Sequence, residues 1–244
     1  MKRQTEDFIA KCIKVIGESE RHCYITRIRE VQKESLKNLK SLLKETAELR
    51  KISISQKDEE RANLFLGIDC MINSLISELQ MYGHLKNGEP SKAWFSLIDA
   101  QDQINGSLRA SLIPNISQEG YARKLLYIEK FLFPPQSFSS PSMSWGRTEC
   151  SICKKDYDEC NHIGGEAYMG EFCSEIVHDI KFLSLSLVSH PADKRRVIQS
   201  FSEGKDGMAR DFMTWKLYKE KSFDNVQKSK TSNNLKNSNS NNHD

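Results

Sequence analysis

Four cysteines and one histidine lie within twenty-four residues of this 244-residue chain, between Cys150 and Cys173. Their spacing is C-x2-C-x6-C-x-H-x10-C. A C-x2-C pair places two thiolates on one tight turn, and a second cluster a few residues later can complete the tetrahedron of nitrogen and sulfur ligands that Zn2+ prefers. The loop between Cys153 and Cys160 reads Lys-Lys-Asp-Tyr-Asp-Glu, which is too charged to surround ordinary buried thiols. The segment is therefore predicted to fold around one structural zinc ion.

Five side chains compete for the four positions of that zinc site. Cys150 and Cys153 come first, because a gap of two residues lets consecutive thiolates share one ion. Cys160 and His162 come next, because they arrive together on the return of a short loop. Cys173 is the competitor, since three glycines before it let the chain fold back and would turn Cys160 or His162 into a neighbour of the ligands. The sequence leaves this choice open.

A catalytic zinc ion is not expected here. Such a site keeps one position for water and a carboxylate as general base. Zinc deaminases place a glutamate two residues after the ligand histidine, whereas Gly164 occupies that position here, and the C-x2-C pair precedes His162 instead of following it. The sequence also has no phosphate-binding glycine loop, no G-x-S-x-G elbow and no H-E-x-x-H pair. We therefore expect a non-enzymatic protein with no small-molecule substrate.

Composition and charge indicate a protein of a reducing compartment. The other three cysteines, Cys12, Cys23 and Cys70, stand singly in helical sequence, which predicts free thiols and not a disulfide framework. The chain has no run of about eighteen apolar residues and no apolar signal core behind its charged start. We expect a cytoplasmic location without membrane contact. The formal net charge of +3 does not by itself indicate nucleic acid as a partner.

Residues 1–135 are predicted to form a mainly α domain, a bundle of about five helices with apolar residues every three or four positions. The expected helices cover about residues 5–17, 23–50, 58–86 and 91–111, and a fifth is capped by Ser117 and ends at Pro134. The length of the second helix predicts a long helical hairpin or short coiled coil. The third helix is apolar over more than half its circumference and is expected to be the central one.

The sequence changes character after the fifth helix. Residues 136–147 are rich in serine and proline and are predicted to be a polar linker between domains. The zinc module follows at residues 148–200, with helical turns near residues 174–180 and one short strand at residues 182–188, where leucine and serine alternate. Residues 201–222 are predicted to form an amphipathic helix, and residues 223–244, rich in asparagine and serine, a disordered tail.

The run from His162 to Cys173, followed by the leucine–serine strand and Pro191-Ala192, resembles a Cys/His-rich segment found in some phage prohead-protease-like proteins. The resemblance covers about fifty residues. That family is known for a serine protease on a β-rich fold, whereas most of this chain is helical. The serines and histidines in this part of the chain do not form a believable nucleophile and base pair. The resemblance implies a shared metal-bound module and a phage or mobile-element setting, but no protease activity.

Two kinds of partner fit the sequence. The first is a protein that docks on the helical bundle, which would make the chain an accessory or adaptor subunit in a larger assembly. The second is a nucleic acid bound by a basic edge of the zinc module. The residues predicted to form that edge are Lys154, Lys155, Lys194, Arg195 and Arg196.

Overall fold

A computed structural model describes residues 2–202 and 207–219 of the chain. The five predicted helices are present over the first 135 residues. They are α1 (Lys2–Glu20), α2 (Arg29–Ser55), α3 (Glu59–Lys86), α4 (Pro90–Ala110) and α5 (Gln118–Leu132).

Helix α3 is the centre of the bundle, as its apolar sequence predicts. It packs between α2 and α4, and residues such as Met71, Leu75 and Leu79 are buried. By length and composition α3 could cross a membrane, but 78% of its most apolar window is buried inside the fold, as in the core helix of a soluble protein. Gly88, at a φ of +72°, ends α3, and Pro90 begins α4. The chain therefore turns back where the sequence predicts.

Helices α2 and α3 form the predicted long hairpin, joined by residues 56–58. The buried positions of α2 follow a spacing of three and four, but several of them are polar, including Gln32, Ser35 and Thr46. The helix begins at Arg29, later than predicted, because residues 21–28 form a loop. Gln32 holds that loop, since its side-chain amide donates to the carbonyl oxygens of His22 and Tyr24.

A buried ion pair fixes α5 on α3. Glu78 is fully buried, and its carboxylate lies 2.8 Å from the Lys124 ammonium and accepts a hydrogen bond of 2.6 Å from the Tyr121 hydroxyl. A buried carboxylate is tolerated only with such partners, because desolvation of an unpaired charge costs several kcal/mol, by an order-of-magnitude estimate. The contact sets the position of α5 on the bundle, and with it the position of the outer face of α5.

The predicted polar linker is wrong, because the serine- and proline-rich segment forms a strand. Strand β1 (Phe138–Ser144) pairs antiparallel with β6 (Lys181–Val188), which is the predicted leucine–serine strand. The helical turns predicted near residues 174–180 are also wrong, since β5 (Glu175–His178) pairs there with β2 (Arg147–Cys150). Strands β3 (Ala167–Tyr168) and β4 (Glu171–Phe172) form a short hairpin between them. The β1–β6 pair continues into the β2–β5 pair, and together they are called the ribbon. Its base is at Phe138, and its far end is at Cys150, where the cysteine cluster lies. The prediction of one short strand is therefore wrong.

The ribbon is anchored to the bundle by aromatic contacts. Trp94 of α4 is 2% exposed and packs edge-on against Phe133, with ring centroids 5.4 Å apart. It also packs against Phe138 of β1 in a tilted arrangement, with ring centroids 6.1 Å apart. Its indole N–H donates to the Lys194 carbonyl oxygen. The helices and the cysteine-rich region therefore belong to one compact unit, Met1–Arg196, and the predicted domain boundary at residues 136–147 is wrong.

The second compact unit begins at Val197. Within its described residues, β7 (Ser200–Ser202), β8 (Met208–Asp211) and β9 (Leu217–Lys219) form an antiparallel sheet, so the predicted helix over residues 201–222 is wrong there. Aromatic residues that suggested helical spacing instead cluster across the turn, where the rings of Phe201 and Phe212 lie 5.1 Å apart. The predicted disordered tail, residues 223–244, lies outside the described residues.

Candidate metal centre

The first two cysteines of the cluster sit on a tight turn at the end of β2. The Lys154 N–H donates to the Cys150 carbonyl oxygen at 3.0 Å, and the Cys150 N–H donates to the Lys155 carbonyl oxygen at 2.9 Å. Lys154 adopts a φ of +61°, which closes the turn. The backbone N–H groups of Ile152 and Cys153 are directed at the Cys150 sulfur. Such a turn presents two sulfurs to one ion, as the C-x2-C spacing predicts.

Two tyrosines, which the sequence reasoning missed, hold the loop that carries His162. The Tyr157 hydroxyl accepts from the Gly164 N–H at 2.7 Å, and the Tyr168 hydroxyl accepts from the Ile163 N–H at 3.0 Å. The Tyr168 ring also packs edge-on against the His162 ring, with centroids 4.6 Å apart. The sequence contains a signal for this role, because two tyrosines stand between the candidate cysteine and histidine ligands in an otherwise polar stretch.

The donors of Cys150, Cys153, Cys160 and His162 converge, since their ligand atoms all lie within 4.8 Å of one another. The Cys150 sulfur is 3.7 Å from Nδ1 of His162. Tetrahedral zinc with Zn–S bonds of about 2.3 Å and a Zn–N bond of about 2.0 Å separates sulfur from nitrogen by about 3.5 Å. The group is therefore positioned to hold a metal ion, and its three sulfurs and one imidazole nitrogen fit the preferences of zinc.

Cys173 adds a fourth sulfur, and a fifth possible donor, beside this group. It follows the β3–β4 hairpin, where its N–H donates to the Glu166 carbonyl oxygen, and its sulfur lies 3.7 Å from that of Cys150. Both residues are buried. The competitor identified in the sequence is thus close enough to hydrogen-bond to Cys150 or to replace one of the other donors.

The electrostatics of the two buried thiols differ. Burial acts to raise the pKa of Cys150, but the N–H groups of Cys153 and Ile152 and the neighbouring thiols outweigh it and lower that pKa to about 6. Burial, together with the thiol of Cys150, raises the pKa of Cys173 to about 11. Cys150 is therefore the group that ionises first, and the thiolate is the form that binds metal.

The β3–β4 hairpin docks the metal centre onto the bundle. The Asn63 side chain donates to the Ala167 carbonyl oxygen at 3.1 Å and accepts from the Gly170 N–H at 2.8 Å. Phe172 packs on a small apolar cluster of α3 and α4 that contains Leu66 and Cys70. The hairpin turn itself, with Met169 and Gly170 both at positive φ, lies against α2 and α3. The centre is therefore held as one body with the helices.

Replacing Gly170 with alanine is expected to loosen this docking. Gly170 has a φ of +79°, and an added Cβ would lie 3.3 Å from Cγ of Arg50 and from Cδ1 of Ile54. The backbone strain alone costs about 1–2 kcal/mol of unfolding free energy, and crowding adds to it. Gly88→Ala is the matched control, because Gly88 has a φ of +72° and nothing within 4 Å. Chemical denaturation should show the larger loss for Gly170→Ala, and equal losses would contradict the docking contact.

The predicted basic edge is partly neutralised in the structure. The Lys194 ammonium contacts the Glu129 carboxylate at 2.6 Å, and the Arg195 guanidinium pairs with Asp99 and Asp102 of α4. These two residues therefore bind the segment after β6 to the bundle. Of the predicted edge, Lys154, Lys155, Arg195 and Arg196 are exposed, although Arg195 is held by the two aspartates.

Four acidic residues that lie among the candidate ligands in sequence are exposed: Asp156, Asp158, Glu159 and Glu166. The Asp156 side chain accepts from the Asp158 N–H at 3.1 Å, which places it in a turn.

The chain matches no protein-family model, no curated protein and no solved structure.

Proposed function

We propose that this chain is a non-enzymatic accessory or adaptor subunit that acts in the cytoplasm. In this proposal one zinc ion, bound by Cys150, Cys153, Cys160 and His162, is structural and holds the far end of the ribbon in shape. The helical bundle binds a protein partner. The resemblance of the segment after His162 to phage prohead-protease-like proteins supports a phage or mobile-element-related assembly as the setting.

The observation that carries this proposal is an open apolar groove of about 440 Å³ on the bundle. One wall is the loop between α1 and α2, with Tyr24 and Ile25, and the other is the outer face of α5. Phe131 is 84% exposed and Tyr127 is 58% exposed. Contiguous exposed apolar side chains bordered by polar residues are typical of a protein-binding surface.

The shape and charge of the groove favour an amphipathic helix as its occupant. The lining residues of α5 recur three, four and seven positions apart, from Lys124 through Tyr127 and Ile128 to Phe131, as in a ridge against which a second helix packs. Arg123 and Lys130, both exposed, continue on either side of that ridge. The partner helix should therefore carry an apolar stripe bordered by acidic residues.

Phe131→Asp is expected to abolish partner binding without unfolding the chain. Aspartate at this position puts a charge on the wall of the groove and removes an aromatic anchor. Such anchors contribute at least about 2 kcal/mol of binding free energy, or roughly thirtyfold in Kd. The side chain is so exposed that the bundle should lose less than about 0.5 kcal/mol. The chain would be purified with its partners from its own cells, and the partner's affinity then measured with both proteins pure.

Leu112→Asp is the matched control, since Leu112 is 74% exposed and does not line the groove. If the chain is an adaptor, a partner should co-purify in stoichiometric amount with the wild type and with Leu112→Asp. That partner should be lost with Phe131→Asp. Retention of the partner by Phe131→Asp would contradict the proposal that the partner binds in the groove. Metal-dependent cleavage of a peptide or nucleic acid by the purified chain would contradict the adaptor role itself.

Nucleic-acid binding is the alternative, and the exposure of Lys154, Lys155 and Arg196 is what supports it. Binding through these groups would weaken steeply with salt, because each neutralised phosphate releases counterions. Charge reversal at Lys154 and Arg196 should reduce that salt dependence. An absence of DNA and RNA binding at low salt would remove the alternative.

A further inference from the structure

The β1–β6 ribbon exposes an apolar face that the described residues, 2–202 and 207–219, leave uncovered. Phe182, Leu183, Leu185 and Leu187 are 65%, 61%, 61% and 75% exposed. The end of the ribbon at Phe138 is covered by the bundle, but the rest of β6 has no such support. An isolated two-stranded ribbon is only marginally stable in water, whereas three or more strands with a shared apolar face are stable.

The pairing register separates the two faces of this ribbon. Leu185 lies opposite Pro141 and Leu187 opposite Ser139, so these side chains share the apolar face. Ser184 and Ser186 lie on the other face, opposite serines of β1. The register shifts after Ser142, so that Leu183 is the extra residue of a bulge.

One edge of the ribbon is open for pairing. Among the described strands, β6 pairs with β1 alone, which leaves the backbone groups of its other edge without a strand partner. β6 has no proline and no charged residue after Lys181, and both are common devices that protect an edge strand. β1, by contrast, contains Pro141. The open edge of the ribbon is therefore that of β6.

The sequence of β6 is complementary to itself. From Leu183 to Leu187 it reads Leu-Ser-Leu-Ser-Leu, which is the same in both directions. Two copies can pair antiparallel about a two-fold axis at Leu185. Leucine then lies opposite leucine and serine opposite serine, and Phe182 lies opposite Val188 of the second copy. A two-fold interface uses the same surface of both copies, so this surface must be complementary to itself, and the pairing meets that requirement.

We infer that two copies of this chain associate through β6 and form a four-stranded antiparallel sheet in the order β1–β6–β6–β1. The free backbone groups of each β6 edge are then hydrogen-bonded. The leucines of the two ribbons become neighbours on one continuous face, within the cross-strand distance of about 4.5–5.5 Å between Cβ atoms. This association uses a surface different from the groove on α5, and neither depends on the other.

Leu185→Glu and Leu185→Lys test the dimer by sedimentation equilibrium of the full chain. The wild type should have twice the mass of the 28.1 kDa chain. Each variant alone should be monomeric, because two like charges would face each other at the two-fold axis. An equimolar mixture of the two variants should recover a dimer, because glutamate then faces lysine, and this recovery shows that neither variant is simply misfolded.

Ser142→Glu is the control, since it places a charge on the exposed far end of β1, away from the pairing edge. This variant should remain dimeric. A monomeric wild type at the highest soluble concentration would overturn the inference. A dimer that survives Leu185→Glu, or a mixture of Glu and Lys variants that stays monomeric, would overturn it as well.

Discussion

Replacing Cys150 with serine is expected to release the metal ion and unfold the ribbon's far end while the helices remain folded. Between residues 147 and 180 the buried residues are Cys150, Gly170 and Cys173, so this stretch has almost no apolar core of its own. A structural zinc ion contributes on the order of 10 kcal/mol to the folding of a small module. Helices α1–α5 have a separate core around α3 and should keep their circular dichroism.

Amide hydrogen exchange would locate this effect. Loss of protection should be confined to β2–β5, and a strong chelator should reproduce it in the wild type. Cys12→Ser is the control, because Cys12 is an equally buried thiol of α1 that lies outside the cluster. It should weaken α1 and leave the metal content unchanged. Full metal content and unchanged protection of β2 in Cys150→Ser would contradict the structural role of the ion.

The second large effect is expected for Trp94→Ala, which should lower the free energy of unfolding by about 3–5 kcal/mol. The indole is almost fully buried, contacts Phe133 and Phe138, and donates to the Lys194 carbonyl oxygen. Its removal leaves a cavity at the joint between the bundle and the ribbon. Denaturant unfolding would give the loss, and hydrogen exchange at Phe138 and Val188 would show whether the ribbon's base detaches.

Trp145→Ala provides the comparison within the same chain. Trp145 lies between β1 and β2 and is 50% exposed, so its truncation should change the unfolding free energy by no more than about 0.5 kcal/mol. Similar losses for the two variants would contradict the anchoring role of Trp94.

The helical part of the fold was predictable because its signals are local. Apolar spacing of three and four residues gives the helices, and Asn87-Gly88-Glu89-Pro90 gives a turn whose boundaries agree with α3 and α4 to within a residue. The cysteine turn is local in the same sense, since two residues separate Cys150 from Cys153. These features need no knowledge of distant partners.

The errors lie where structure depends on distant pairing. β1 has no alternation of its own and becomes a strand because β6, some forty residues later, supplies its hydrogen bonds. The charges of Lys194 and Arg195 looked available because their partners Glu129 and Asp99 are far away in sequence. The aromatic residues of the last sheet cluster across a turn at Trp215, where φ is +60°, and not along a helix.

X-ray absorption at the zinc edge of the purified full chain tests the central claim, that Cys150, Cys153, Cys160 and His162 close a structural metal site. We expect one zinc ion per chain with three sulfur ligands at about 2.3 Å and one nitrogen ligand at about 2.0 Å. Cys173→Ser should leave this spectrum unchanged, and His162→Ala should remove the nitrogen. A folded chain without metal, an ion with a water ligand, or four sulfur ligands in the wild type would contradict it.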